Sequence, residues 1–167
     1  MTPHEYLETV VRPNMAALNE DAGDIRLASN AVASIDALGA HIYQWAAHHE
    51  PSLIDPLKGD DDGYRNHLAT LNEDYHLLCD VARAFKHIHL RTKTPRLVYS
   101  AFAVSPQPLM VSDMESVSRD WTTEPCVLIQ REDGRRLIAR NVLERALMFL
   151  ESQLEQLAAQ PKCVGES

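Results

Sequence analysis

Over the first fifty residues apolar positions recur every three or four, the spacing of one buried helix face. Leu7, Val10, Val11, Met15 and Leu18 define a first helix near residues 3–19. Thr2-Pro3-His4-Glu5 opens it as a capping box, with proline at the first helical position, where a missing N–H costs nothing. Pro13 must kink or split that run, because its ring meets the carbonyl four residues back. Asp24 caps a longer helix over 24–48. Ile25, Ala28, Val32, Ile35, Gly39, Ile42 and Ala46 form one row, with Ala31, Leu38 and Trp45 beside it, so this helix is predicted at the centre of a bundle. Its small residues at 28, 31, 39 and 46 admit a close neighbour.

Residues 49–63 hold two prolines, two glycines and four aspartates and read as a loop. A short helix follows over 64–71. Asn72, Glu73 and Asp74 start another, running to about Leu90. After Thr94-Pro95 the period changes. Leu97 to Val104 is β-branched and aromatic enough for a strand, ended by Ser105-Pro106-Gln107-Pro108. Cys126–Gln130 and Arg136–Ala139 flank Asp133-Gly134, the local signature of a β-hairpin turn. Asn141-Val142-Leu143-Glu144 is a second capping box and opens a helix over 142–159, with Leu143, Leu147, Leu150, Leu154 and Leu157 on one side. The predicted fold is mainly α: a helical bundle in one domain over 1–167, with a small antiparallel β element, about 97–139, inserted before the C-terminal helix. Ile25, Val32, Ile35, Ile42, Leu78, Val81, Phe85, Ile88, Leu147, Leu150 and Leu154 are its expected core.

Composition narrows the class without naming an activity. Apolar residues make up 45% and charged residues 24% of the 167, as in ordinary globular domains. No run approaches the ~18 apolar residues that cross a bilayer. The first residues lack a basic stretch followed by an apolar one, so no secretory signal and a cytoplasmic location are expected, with no membrane partner. Cys79, Cys126 and Cys163 are odd in number and far apart, which predicts neither a disulfide framework nor a zinc knuckle. The glycine-rich phosphate loops, the nucleophile elbow, the zinc-protease helix and the calcium loop are all missing, so no metal site and no cofactor are expected.

The net charge of −8 is unevenly spread. Residues 1–80 carry 4 Lys/Arg against 14 Asp/Glu, and residues 113–167 carry 7 against 10. Between them, residues 81–112 hold Arg83, Lys86, Arg91, Lys93 and Arg96 with no acid. The chain as a whole should repel polyanions, while this window would attract them.

The helix predicted over 72–90 carries the window's start. At about 100° per residue, Leu77, Leu78, Val81, Ala84, Phe85 and Ile88 share an apolar face. Asn72, His76, Asp80, Arg83 and His87 form a polar ladder opposite, each rung three or four residues from the next. Asp80, Arg83 and His87 should project together, either as a solvated face with helical ion pairs, as a buried network or as a convergent site. His87 and His89 point some 200° apart on a continuous helix and cannot share one ion there.

Residues 2–45, with Val11-Arg12-Pro13-Asn14, Asp24-Ile25-Arg26 and His41-Ile42-Tyr43-Gln44-Trp45, and residues 77–90, with Leu77-Leu78-Cys79-Asp80 and Ala84-Phe85-Lys86-His87-Ile88-His89-Leu90, resemble a group of small bacterial proteins. The latter helix is also similar to the HEPN superfamily, helical domains that are often dimeric ribonucleases of toxin and defence systems, marked by an arginine four to six residues before a histidine. Arg83 and His89 fit that spacing. The chain departs from the pattern at Ala84, where a polar residue is common, and in its added β element. On an ideal helix His89 also lies about 120° from Arg83.

Two functions follow. One is a non-enzymatic helical module that binds a protein partner or pairs with a second copy of itself. The other, implied by the HEPN resemblance, is a metal-independent ribonuclease. In it Asp80, Arg83, His87 and His89 would be catalytic, Arg83 on the phosphate and a histidine moving protons, while Lys86, Arg91 and Lys93 hold the RNA backbone.

Overall fold

The computed structural model of the chain describes residues 1–49, 51, 54, 60–91, 95–108 and 125–159. Six α-helices and one three-stranded sheet make up the regular structure within them. Helix α1 spans Pro3–Tyr6, and both bonds of its capping box form: Glu5 N–H to Thr2 Oγ1 at 3.1 Å and Thr2 N–H to Glu5 Oε2 at 2.7 Å. A π-helical turn over Leu7–Val11 then leads into α2, Arg12–Glu20. The expected break at Pro13 thus takes the form of a widened turn just ahead of the ring, in which Arg12 N–H reaches Leu7 C=O five residues back.

Helix α3, Ile25–His49, is the central helix, with Ala28, Ala31, Val32, Ile35, Leu38, Gly39, Ile42 and Ala46 buried. Asp24 caps it by accepting from Arg26 N–H at 2.7 Å. Gly39 meets the neighbouring helices so closely that an added Cβ would overlap the Tyr75 hydroxyl. Helix α4, Asp61–Leu71, starts earlier than expected. Asp60 is its N-cap, accepting from Gly63 N–H at 3.0 Å, and Asp61 and Asp62 fill its first turn. The aspartate run that reads as loop is the start of a helix.

Helix α5 runs from Glu73 to His87, with Asn72 accepting from Tyr75 N–H at 2.8 Å. It ends three residues before the expected Leu90. Ile88 takes φ 64° and ψ −53°, and His89 N–H closes onto His87 C=O at 2.7 Å. That is the strained form of the γ-turn, unusual anywhere and more so for a β-branched residue. Ile88 leaves the predicted core as a result and is 56% exposed. Phe85 and Ile25 are half-buried, packed against the core. The other predicted core residues are buried, in one cluster shared by α2, α3, α4, α5, the sheet and the last helix.

The sheet has the order β1-β2-β3, both pairings antiparallel. Strand β1 is Val104–Pro108, the Pro-containing stretch expected to end a strand, while Ala101–Ala103 is a 3-10 turn. Edge position explains it: Pro106 and Pro108 pair with Val127 and Pro125 on one side, and an edge strand has no second neighbour to need their missing N–H. Strands β2, Pro125–Gln130, and β3, Arg136–Ile138, form the expected hairpin, with Gly134 at φ 85°. Helix α6, Ala139–Ala159, is already under way at Asn141, so the second capping box does not start it.

Candidate functional site

Helix α5 was expected to show a ladder of polar side chains to one surface, and the fold separates them. Asp80 is fully buried. The chain returns over α5 after Pro95. There Arg96 Nη1 donates to Asp80 Oδ1 and Leu97 N–H donates to Oδ2, both at 2.8 Å. His76 Nε2 lies 3.5 Å from Oδ2, and the closest Arg83 nitrogen is 4.0 Å from Oδ1. Asp80 is therefore a clamp between helix α5 and the segment leading to the sheet. Of the ladder, Asp80, Arg83 and His87 do not emerge together: only the last two reach an open surface.

That surface is a groove of about 800 Å³, walled by α3, α4, the end of α5 and the segment after it. Arg83, Lys86 and His87 enter it from α5, and His89, Arg91 and Arg96 from the return segment. The γ-turn at Ile88 makes this possible. A continuous helix would carry His89 about 120° away from Arg83, whereas the break brings both side chains to the same groove. Lys93, the remaining candidate cation, lies outside the described residues.

Charge is not uniform along the groove. At one end Arg65 Nη1 donates to both oxygens of Asp36 at 2.9 and 2.8 Å, and its Nη2 to Asp62 at 2.7 Å. Burial opposes the Arg65 charge, yet Asp36, Asp61 and Asp62 together hold its pKa above the usual arginine value. Arg83 donates to Asn66 Oδ1 at 2.8 Å, with Asp62 3.9 Å away. At the other end Lys86, His87 and Arg91 are exposed and have no carboxylate partner among the described residues. His89 packs its ring beside Phe102, centroids 5.6 Å apart.

Arg65, Asp36 and Asp62 were missed as groove residues. Asp36 carried a signal: it is the one acid between Ile25 and His49, and a lone carboxylate inside a central helix calls for a partner. Arg96 stood in the acid-free window, but its bond to Asp80 carried no signal, since it crosses a change of direction that no period records. Cys79 is buried, and burial first, then the Asp36 charge, pushes its thiol up to about 12, so it is no nucleophile at neutral pH. Among the described residues no group of three His, Cys, Asp or Glu side chains is placed to hold a metal ion. Among the described residues, too, no helix is long and apolar enough to cross a membrane. Comparisons with family models, curated proteins and solved structures find no match.

Proposed function

We propose that this protein is a helical binding module whose groove holds the phosphate backbone of single-stranded RNA. The observation that carries the reading is the end of α5, where Lys86 and Arg91, with His87 between them in sequence, stand at one groove without a carboxylate partner among the described residues, in a chain of net charge −8. Other arginines close the fold by meeting carboxylates: Arg131 bonds Glu73 and Arg145 bonds Asp74. Cations left without acids attract a polyanion and gain by releasing its counterions. The acids that would repel RNA are largely engaged, Asp36 and Asp62 by Arg65 and Asp80 by Arg96.

The test is fluorescence anisotropy of a labelled single-stranded RNA with wild type, Lys86→Glu and Arg91→Glu. Each reversal should weaken binding at least tenfold while leaving melting unchanged. Equal affinity in all three overturns the proposal. Sizing of the wild type beside this assay reads whether the module acts as a pair of identical chains.

A second reading, cleavage of the bound strand, is favoured by the two imidazoles at the groove. Imidazole is the side chain suited to moving protons near neutral pH. One histidine of His87 and His89 would take the proton from a ribose 2′-OH as its oxygen bonds phosphorus. The other would protonate the departing 5′-oxygen as the P–O5′ bond breaks, while Arg83 stabilises the phosphorane charge. The products are a 2′,3′-cyclic phosphate and a 5′-hydroxyl, with no metal required. His87→Ala or His89→Ala should then slow cleavage by about 10²–10⁴-fold with binding retained. Wild type that binds RNA and leaves it intact removes this reading and keeps the first.

A further inference from the structure

Phe102 is 77% exposed, an unusual place for a phenyl ring, on backbone that a ladder of hydrogen bonds holds. Residues 88–90 and 99–101 run antiparallel: Ala101 N–H donates to Ile88 C=O at 2.9 Å, Leu90 N–H donates to Tyr99 C=O at 2.8 Å, and His89 bridges Ser100. Ser100 Oγ accepts from Phe102 N–H at 3.2 Å and caps the 3-10 turn that carries the ring. The ring is therefore held beside His89, itself a groove residue, at an interplanar angle of 53°.

We infer that Phe102 is a stacking platform for one nucleobase of the strand whose phosphates the groove holds, an inference that rests on the RNA-binding reading above. The surroundings favour a base over a protein side chain. The ring packs beside His89; Lys86 and Arg91 lie within three residues of His89 in sequence, and Ile88 is the large exposed apolar residue of that stretch. An apolar patch that small is short of a protein interface but fits one flat ring. Charge on one side and an aromatic face on the other is how single strands are bound without reading their sequence. The backbone that carries the ring is held in advance by its ladder and loses little freedom on binding.

The experiment uses the full chain as wild type, Phe102→Ala and Phe102→Trp, with two fluorescent probes of about ten nucleotides. One is single-stranded RNA and the other an abasic ribose-phosphate strand of the same length. Phe102→Ala should weaken RNA roughly tenfold, within the range that loss of one base stack produces, and leave the abasic strand unchanged. Phe102→Trp should restore RNA affinity, with quenching of its indole emission on binding. Equal weakening of both probes, or of neither, overturns the platform. Wild type that binds neither probe removes the groove reading as well, whereas wild type that binds both with Phe102→Ala unaffected removes the platform alone.

Discussion

At its first turn helix α5 presents Glu73 and Asp74, and each is met by an arginine from far along the chain, Arg131 at 2.7 Å and Arg145 through two bonds at 2.8 Å. Fourteen residues on from Glu73 the same helix ends among Lys86, His87 and, past the turn, Arg91, and no carboxylate comes to meet them among the described residues. The first end uses charge to join α5 to the hairpin and to α6. The second leaves charge facing a groove, where it joins no other element among the described residues. Asp80 lies between the two and belongs to the first kind, since its partners are Arg96 and a backbone N–H. The contrast separates charge that closes the structure from charge available to something outside it.

The sharpest way to break that contrast is at the buried carboxylate. Asp80→Ala removes an acceptor with no exposed surface and strands Arg96, and it should cost about 3–5 kcal/mol in chemical denaturation. A loss under about 1 kcal/mol would mean that Asp80 is not a clamp. Next in size is the turn that defines the groove end. Ile88→Gly relieves a positive φ at an exposed side chain, so the folded state should gain about 1 kcal/mol. A marked loss of stability would contradict the strained γ-turn. Arg83→Ala is smaller again: Asp80 keeps Arg96 and Leu97 N–H, and the partly screened arginine should cost under about 1 kcal/mol. Unfolding of that variant would show that Arg83, not Arg96, neutralises Asp80. Smallest is Lys86→Ala, which should shift stability by less than about 0.5 kcal/mol. A clear loss would place Lys86 with the structural charges.

The positions of the helices were legible wherever pattern and cap agreed. Thr2, Asp24 and Asn72 each accept the N–H bonds expected of them, and Asp133-Gly134 turns the hairpin. Where they failed, a non-local partner decided. Pro106 and Pro108 read as strand breakers because nothing local says that β1 is an edge. Three aspartates read as loop because Asp60 as a cap and Asp61 and Asp62 as a first turn resemble a polar linker in composition. The apolar phase of α5 continued through Ile88, yet the backbone left the helix there, and periodicity does not register a γ-turn.

The site followed the same division. Arg83, Lys86, Arg91 and Arg96 were legible from the acid-free window, His87 from the helix ladder and His89 from the family resemblance, and the structure brings all six to one groove. That Asp80 would be buried instead of lining that groove depends on Arg96 arriving from sixteen residues downstream, and tertiary packing alone determines it.

The central claim, that the free charges at the end of α5 neutralise phosphates, is tested most directly by a salt titration of RNA affinity. For a single strand, log K should fall linearly with log salt by about 0.7 for each phosphate neutralised. The doubly substituted Lys86→Ala/Arg91→Ala chain should bind with a slope shallower by about 1.4 and an unchanged melting temperature. A slope identical to that of the wild type, or no wild-type binding to RNA even at low salt, would contradict the account.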